Sequence, residues 1–150
     1  MSDSIRLGLF RAVHDLDVRG LHLSSKWASE LLLTYLPENE HEDEMHHPYS
    51  EEKISSSEYG LILFTRSLVR EHEYQRAAHL LRKSFIYKSG LPASLVGKFL
   101  YFYSLYMAGE KSRDLEKSGN LAPENSKLGN PYIREIVEGM YPLYINVSEK

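Results

Sequence analysis

Apolar residues recur along most of this chain at helical spacing and almost nowhere at strand spacing. Leu9, Ala12, Val13 and Leu16 stand at i, i+3, i+4 and i+7 and predict a helix that stops near Gly20. Trp27, Ala28, Leu31, Leu32 and Tyr35 form a second stripe that ends before Pro37. Leu61, Phe64 and Leu68 form a third, and Tyr74, Ala77, Ala78 and Leu81 a fourth that stops around Gly90-Leu91-Pro92. Phe99, Phe102, Leu105 and Tyr106 carry a fifth helix up to Gly109, and Tyr132, Ile133, Ile136, Val137 and Met140 a sixth. No stretch shows four clean alternations bounded by hairpin dipeptides, so the pattern predicts an all-α chain of six helices in three pairs.

A helix pair cannot bury its apolar face alone, and pairs at a regular interval point to a stack of repeats. With Gly20, His72 and Gly109 as the tight turns, the intervals are 52 and 37 residues, against about 34 for a tetratricopeptide repeat. The longer interval exceeds one repeat by nearly the length of a polar, acidic stretch between the second and third helices. The reading is therefore a degenerate tetratricopeptide-repeat helical-hairpin solenoid. Its repeats cover approximately 5–37, 57–91 and 93–149, with an acidic loop insertion at 38–56 and a polar insertion at 110–130. The packing positions of the three first helices are Leu9, Ala12, Val13 and Leu16; Leu61, Phe64, Thr65 and Leu68; and Lys98, Tyr101, Phe102 and Leu105. All but Thr65 and Lys98 are apolar or aromatic, as packing requires.

Charge changes this picture in one place. Between Glu38 and Lys53 seven acids face one base, so that segment carries −6 of a total of −3 and leaves +3 for the rest. With Pro48 and no apolar period, it is expected to be a solvated loop. The mild overall charge offers no basic stripe, and nucleic acid is not an expected partner. No uninterrupted apolar run approaches the ~20 residues of a membrane helix, and Met1-Ser2-Asp3-Ser4 does not open like a secretory signal, so no membrane association is expected. The sequon-like Asn146-Val147-Ser148 is then accidental. Zero cysteines excludes a disulfide framework, a cysteine-ligated zinc and a cysteine nucleophile, and fits cytosol or nucleus.

The first helices of successive repeats line the concave face of such a solenoid, its usual binding surface. In this register the groove positions are Leu7, Phe10, His14 and Asp17; Tyr59, Ile62, Arg66 and Val69; and Val96, Phe99, Tyr103 and Tyr106. Nine of the twelve are apolar or aromatic. A groove that reads acidic tails needs charged donors at these positions, whereas this one suits another apolar element. Phe99, Tyr101, Phe102, Tyr103 and Tyr106 crowd five of seventeen aromatics into eight residues, which makes that helix apolar around most of its girth and in need of cover on more than one side. The expected self-association surface comprises Leu7, Phe10 and Val13 from the first helix, with Tyr59, Ile62, Val69, Phe99, Tyr103 and Tyr106 as the groove that receives it. The alternative is a monomeric peptide-binding adaptor whose groove takes a linear motif of another protein.

Catalytic chemistry finds little support. His41, Glu44, His46 and His47 are metal-ligand types, but His46 and His47 are adjacent rather than a helical turn apart, and no metal site is expected. His14-Asp15 lacks a Gly-x-Ser-x-Gly nucleophile elbow, and neither a phosphate loop nor a dinucleotide glycine turn occurs. No catalytic residue and no cofactor are expected. None of the six prolines follows Ser or Thr, so proline-directed kinases have no target here.

Three segments carry a family resemblance: Arg19 to Leu31, with its Ser24-Ser25-Lys26-Trp27 run; Glu73 to Leu81, with Tyr74-Gln75-Arg76-Ala77-Ala78; and Tyr103 to Lys111. In this order they resemble the amino-terminal region of the subunit 8 family of the anaphase-promoting complex, the cell division cycle protein 23 family. The resemblance implies a non-catalytic tetratricopeptide-repeat scaffold of a multisubunit ubiquitin ligase acting in mitosis, found in nucleus and cytoplasm. It implies as partners a second copy of the chain, through a clasping groove, and other subunits of the complex. Coactivator binding belongs to later repeats of the family and is not carried over.

Overall fold

The computed structural model describes residues 2–35, 44–46, 53–83, 94–118 and 129–148. They form α1 (Ser2–Val18), α2 (His22–Leu33), β1 (Glu44–His46), β2 (Lys53–Ser55), α3 (Ser56–Arg70), α4 (Tyr74–Leu81), α5 (Leu95–Ser118) and α6 (Ile133–Ser148). Each helix packs on the next in sequence, and α3 also packs on α5, so the architecture is an all-α stack of helix pairs consistent with a repeat solenoid. Among the described residues no helix is long and apolar enough to cross a membrane.

Two of the three expected turns are built alike, 52 residues apart. At the end of α1, Leu21 N–H donates to the Leu16 carbonyl and Gly20 N–H to that of Asp17; at the end of α3, Glu73 N–H donates to Leu68 and His72 N–H to Val69. Both are Schellman caps, which require one residue in the left-handed region. Gly20 fills it at φ 72 without steric cost, while His72 adopts φ 60 and hydrogen-bonds through Nδ1 with the Tyr74 hydroxyl at 2.6 Å. The third expected turn is absent. Gly109 lies inside α5, which runs on to Ser118. Its missing side chain serves contact instead: a Cβ there would fall 1.8 Å from Asn130 Oδ1. Asn130 accepts from Tyr132 N–H and donates to the Tyr106 carbonyl, leading the chain into α6. Pro142 sits within α6 without ending it.

The acidic insertion also departs from expectation. β1 and β2 form an antiparallel ladder, Met45 opposite Ile54, and Ile54 is 1% exposed in a cluster with Ile62, Leu81, Leu100 and Tyr101. The insertion at 38–56 therefore supplies a core residue just beyond the Glu38–Lys53 stretch expected to be solvated, because one apolar side chain flanked by polar ones suffices to plug a gap at the start of α3. Ser55 then caps α3, its Oγ accepting from Glu58 N–H at 3.2 Å. The buried Glu58 carboxylate accepts from both the N–H and the hydroxyl of Ser94, whose Oγ in turn caps α5 through Gly97 N–H. This knot joins the starts of α3 and α5.

α2 shows a third departure. Of its expected stripe only Leu32 is buried and Ala28 partly so; the inward face is otherwise Ser25 and Ser29. Small hydroxyls let α2 approach α1 closely, and they are satisfied by the carbonyls of Val13 and Lys26. Trp27 and Leu31 point outward. At the far end, Arg82 of the α4 terminus pairs with Glu135 of α6, and both bond the Tyr101 hydroxyl of α5. Burial and the hydrogen bond to Glu135 push that hydroxyl up to about 12.

Candidate interaction face

α1, α3 and α5 lie on one side of the stack, tied by Phe10 against Tyr59 at 5.7 Å and by Asp17, which accepts from Arg66 at 2.5 Å and Arg70 at 2.9 Å. The face divides into two zones. Toward the α1 and α3 termini it is ionic, with Arg70 also reaching His22 Nδ1 at 3.0 Å. Toward the start and middle of α5 it is aromatic, with Phe99 stacked on Tyr103 at 5.7 Å and 19°.

The nine expected surface residues do not all belong to it. Val13 and Ile62 are core, 1% and 2% exposed, and Phe10 at 9% is nearly so; this corrects their assignment to an open groove. The reason is that Phe10 and Val13 pack with Leu32 of α2 and Leu63 of α3, and Ile62 packs with Leu81 of α4 and Leu100 and Tyr101 of α5, while Tyr59 packs against both clusters. Tyr59 and Val69 are half-buried. Leu7, Phe99, Tyr103 and Tyr106 remain open, at 48%, 64%, 36% and 43% exposure. Missed by the sequence reading are two further apolar stripes: Leu23, Trp27 and Leu31 on the outer face of α2, and Ile133, Val137, Met140 and Tyr141 on α6. Helical spacing signalled both stripes, but a period alone does not say which way a stripe faces.

The ionic zone titrates with the fold. Burial would raise the Asp17 carboxyl, but Ser25 and the Arg66 and Arg70 guanidiniums outweigh it and hold it below its ordinary 3.8. Burial of Glu135 is likewise outweighed by Arg82 and Tyr101, which hold it below 4.5. A depressed carboxyl stabilises the fold fully above its unfolded value and loses that contribution as pH falls through the folded one. Thermal stability is therefore expected to be insensitive to these groups near neutrality and to drop below about pH 4.5, the ordinary value of Glu135. Melting curves from pH 6 to 3 check this, with Asp17→Asn expected to flatten the acid limb.

Among the described residues no group of three His, Asp or Glu could hold a metal ion. Of the histidine-rich loop, His46 is a ladder residue opposite Lys53, while His41 and His47 lie outside the described residues.

The family model described as "Anaphase promoting complex subunit 8 / Cdc23" matches residues 4–148. The chain belongs to this family. Among the relatives, the cell division cycle protein 23 homologs of Bos taurus and Homo sapiens are each 34% identical over 121 residues, 79% of this chain and 18% of theirs. The anaphase-promoting complex subunit 8 of Dictyostelium discoideum is 33% identical over 119 residues, 73% of this chain and 19% of its own. The chain thus spans less than a fifth of the curated Cdc23 relatives it matches. No solved structure matches. In this Cdc23-family chain the segment Arg19 to Leu31 spans the Gly20 turn and most of α2, with Trp27 exposed and Ser25 and Ser29 buried.

Proposed function

We propose that this chain is a non-catalytic scaffold and homodimerisation module of the anaphase-promoting complex, a cell-cycle ubiquitin ligase of nucleus and cytoplasm, and that it self-associates through the face lined by α1, α3 and α5. Membership of the Cdc23 family supports the scaffold role. The observation that carries self-association is the aromatic zone, where Phe99, Tyr103 and Tyr106 stand open on one helix whose opposite side is already committed to the core. Aromatics presented together on a surface are the residues most often found to anchor protein contacts. Other subunits of the complex are the further partners proposed.

Light scattering at low micromolar concentration is expected to give a dimer mass, and Tyr103→Asp is expected to give a monomer with unchanged helical circular dichroism. Phe10→Asp is unsuited to this test, because Phe10 is part of a core cluster and the charge would unfold the α1–α3 contact. A wild-type chain that stays monomeric and gains thermal stability from a peptide ligand would overturn the reading in favour of the adaptor.

A further inference from the structure

A cleft of about 350 Å³ opens between α4, α5 and the residues that lead into α6. Ala78, Leu105 and Ala108, all buried, form its floor, and Tyr132 forms one wall. The two alanines leave depth where larger side chains would close the contact. None of the lining residues is among the nine assigned to the α1, α3 and α5 face. The opposite wall is a single stripe of α4: Gln75, His79 and Arg82 stand at i, i+4 and i+7 and all line the cleft. Among the described residues neither the Gln75 amide nor the His79 ring has a hydrogen-bond partner. Arg82 differs, because its Nη2 pairs with Glu135 and its Nε donates to the Tyr101 hydroxyl at 3.2 Å. Its charge is already answered.

These features select the occupant. With Arg82 paired, the wall is neutral in sum, and it lies toward the carboxyl end of α4, where the helix dipole disfavours an anion. An amide side chain and a neutral imidazole each donate and accept, which matches a peptide group with its one N–H and one C=O. An extended chain presents the same edge at every second residue, ~6.6 Å along its length. Gln75 and His79 are ~6 Å apart along the helix axis, so each meets a backbone group of such a chain. The volume stands near the low end of ligand sites, ~300–1,000 Å³, and suits one anchoring side chain with its flanking peptide groups. An aliphatic floor takes an apolar anchor, since a polar one would lose its hydration without compensation.

We infer that this cleft binds an extended segment of a partner protein, with one aliphatic side chain on the Ala78–Ala108 floor and its backbone held by Gln75 and His79. The site does not rest on self-association. It adds to the scaffold a second contact, reached from the side of the stack that carries α4.

The probe is a set of heptapeptides selected from a random displayed library on the 150-residue chain. They are expected to share one aliphatic position and, on titration, to shift the side-chain resonances of Gln75 and His79. Gln75→Ala combined with His79→Ala, both at exposed positions, is expected to keep the melting temperature and to weaken binding roughly tenfold, the loss of two neutral hydrogen bonds. Ala108→Leu fills the floor and is expected to abolish binding. Methylating the backbone nitrogens on either side of the aliphatic residue removes donors while leaving every side chain, and is expected to abolish it too. Tyr103→Asp is expected to leave binding unchanged. Peptides that bind the double variant as tightly as wild type, or that Tyr103→Asp releases, overturn the site. Tolerance of backbone methylation, or a gain of helical circular dichroism by the bound peptide, overturns the extended segment. Inorganic phosphate that displaces the peptides overturns the neutral occupant in favour of an anion. No enrichment over the Ala108→Leu chain overturns the inference as a whole, whatever the mass in solution.

Discussion

Ile54→Ala is expected to cost about 2–5 kcal/mol, the range for truncating a buried aliphatic side chain to alanine. The position is fully enclosed by Ile62, Leu81, Leu100 and Tyr101, contributed by three different helices, α3, α4 and α5. Side chains from three elements cannot all relax into the space left behind, and the upper part of the range applies where collapse is hindered. Chemical denaturation of wild type and variant checks it, with a lower midpoint at an unchanged slope. Met45 lies opposite Ile54 in the ladder. Substitutions among the acidic residues between Glu38 and Asp43 carry no such expectation. A loss below about 0.5 kcal/mol, the size of an ordinary surface change, would mean that β2 is not part of the core.

Glu58→Ala is the second large effect, expected at about 1–3 kcal/mol. The carboxylate is buried and accepts from both the N–H and the hydroxyl of Ser94. Removing it leaves a buried backbone donor without a partner, the costly side of hydrogen-bond deletion. The consequence is not confined to stability. Ser94 is also the N-terminal cap of α5 through Gly97, so the variant loosens the helix that carries Phe99 and Tyr103. Both a lower melting temperature and a weaker dimer are expected, and Glu58→Gln, which keeps an acceptor oxygen, is expected to recover most of the first. Equal stability of Glu58→Ala and wild type would remove the knot from the account.

How far the chain could be read without its structure varies by element. The first-helix stripes of α1 and α3 were legible because period and burial coincide there, whereas on α5 Phe102 and Leu105 of the stripe are buried and Phe99 and Tyr106 are open. For α2 they diverge. Ser25 and Ser29 are wholly buried while Trp27 and Leu31 are not, since close helix approach selects small residues and an interface selects large ones. The Schellman turn at Gly20 announces itself through a glycine. The identical turn at His72 does not, and only its place in the repeat suggested it. Gly109 misled for the opposite reason: the same residue type that permits a left-handed turn also permits close contact, here with Asn130.

A similar ambiguity runs through the candidate face. Aromatic crowding on α5 was visible in the sequence, but packing with Leu32 and Leu63 takes Phe10 and Val13 out of the face, and packing with Leu81, Leu100 and Tyr101 takes Ile62 out of it. Gly139 illustrates what lies beyond a linear reading: a Cβ there would come within 2.6 Å of the Phe102 ring, so its small size sets how α6 rests on α5. Nothing in the local sequence marks that distance.

By itself the sequence determined the all-α class, the six helices and their pairing, the absence of cysteine chemistry and the family, because periodicity, turn residues and motif runs are local properties of the chain. The tertiary structure alone decided which stripes face inward, that Ile54 of the acidic insertion closes the core, that Glu58 fastens α3 to α5, and that Trp27 stands in solvent. Each of these depends on how near two helices come, and that distance is set by side chains far apart in the chain.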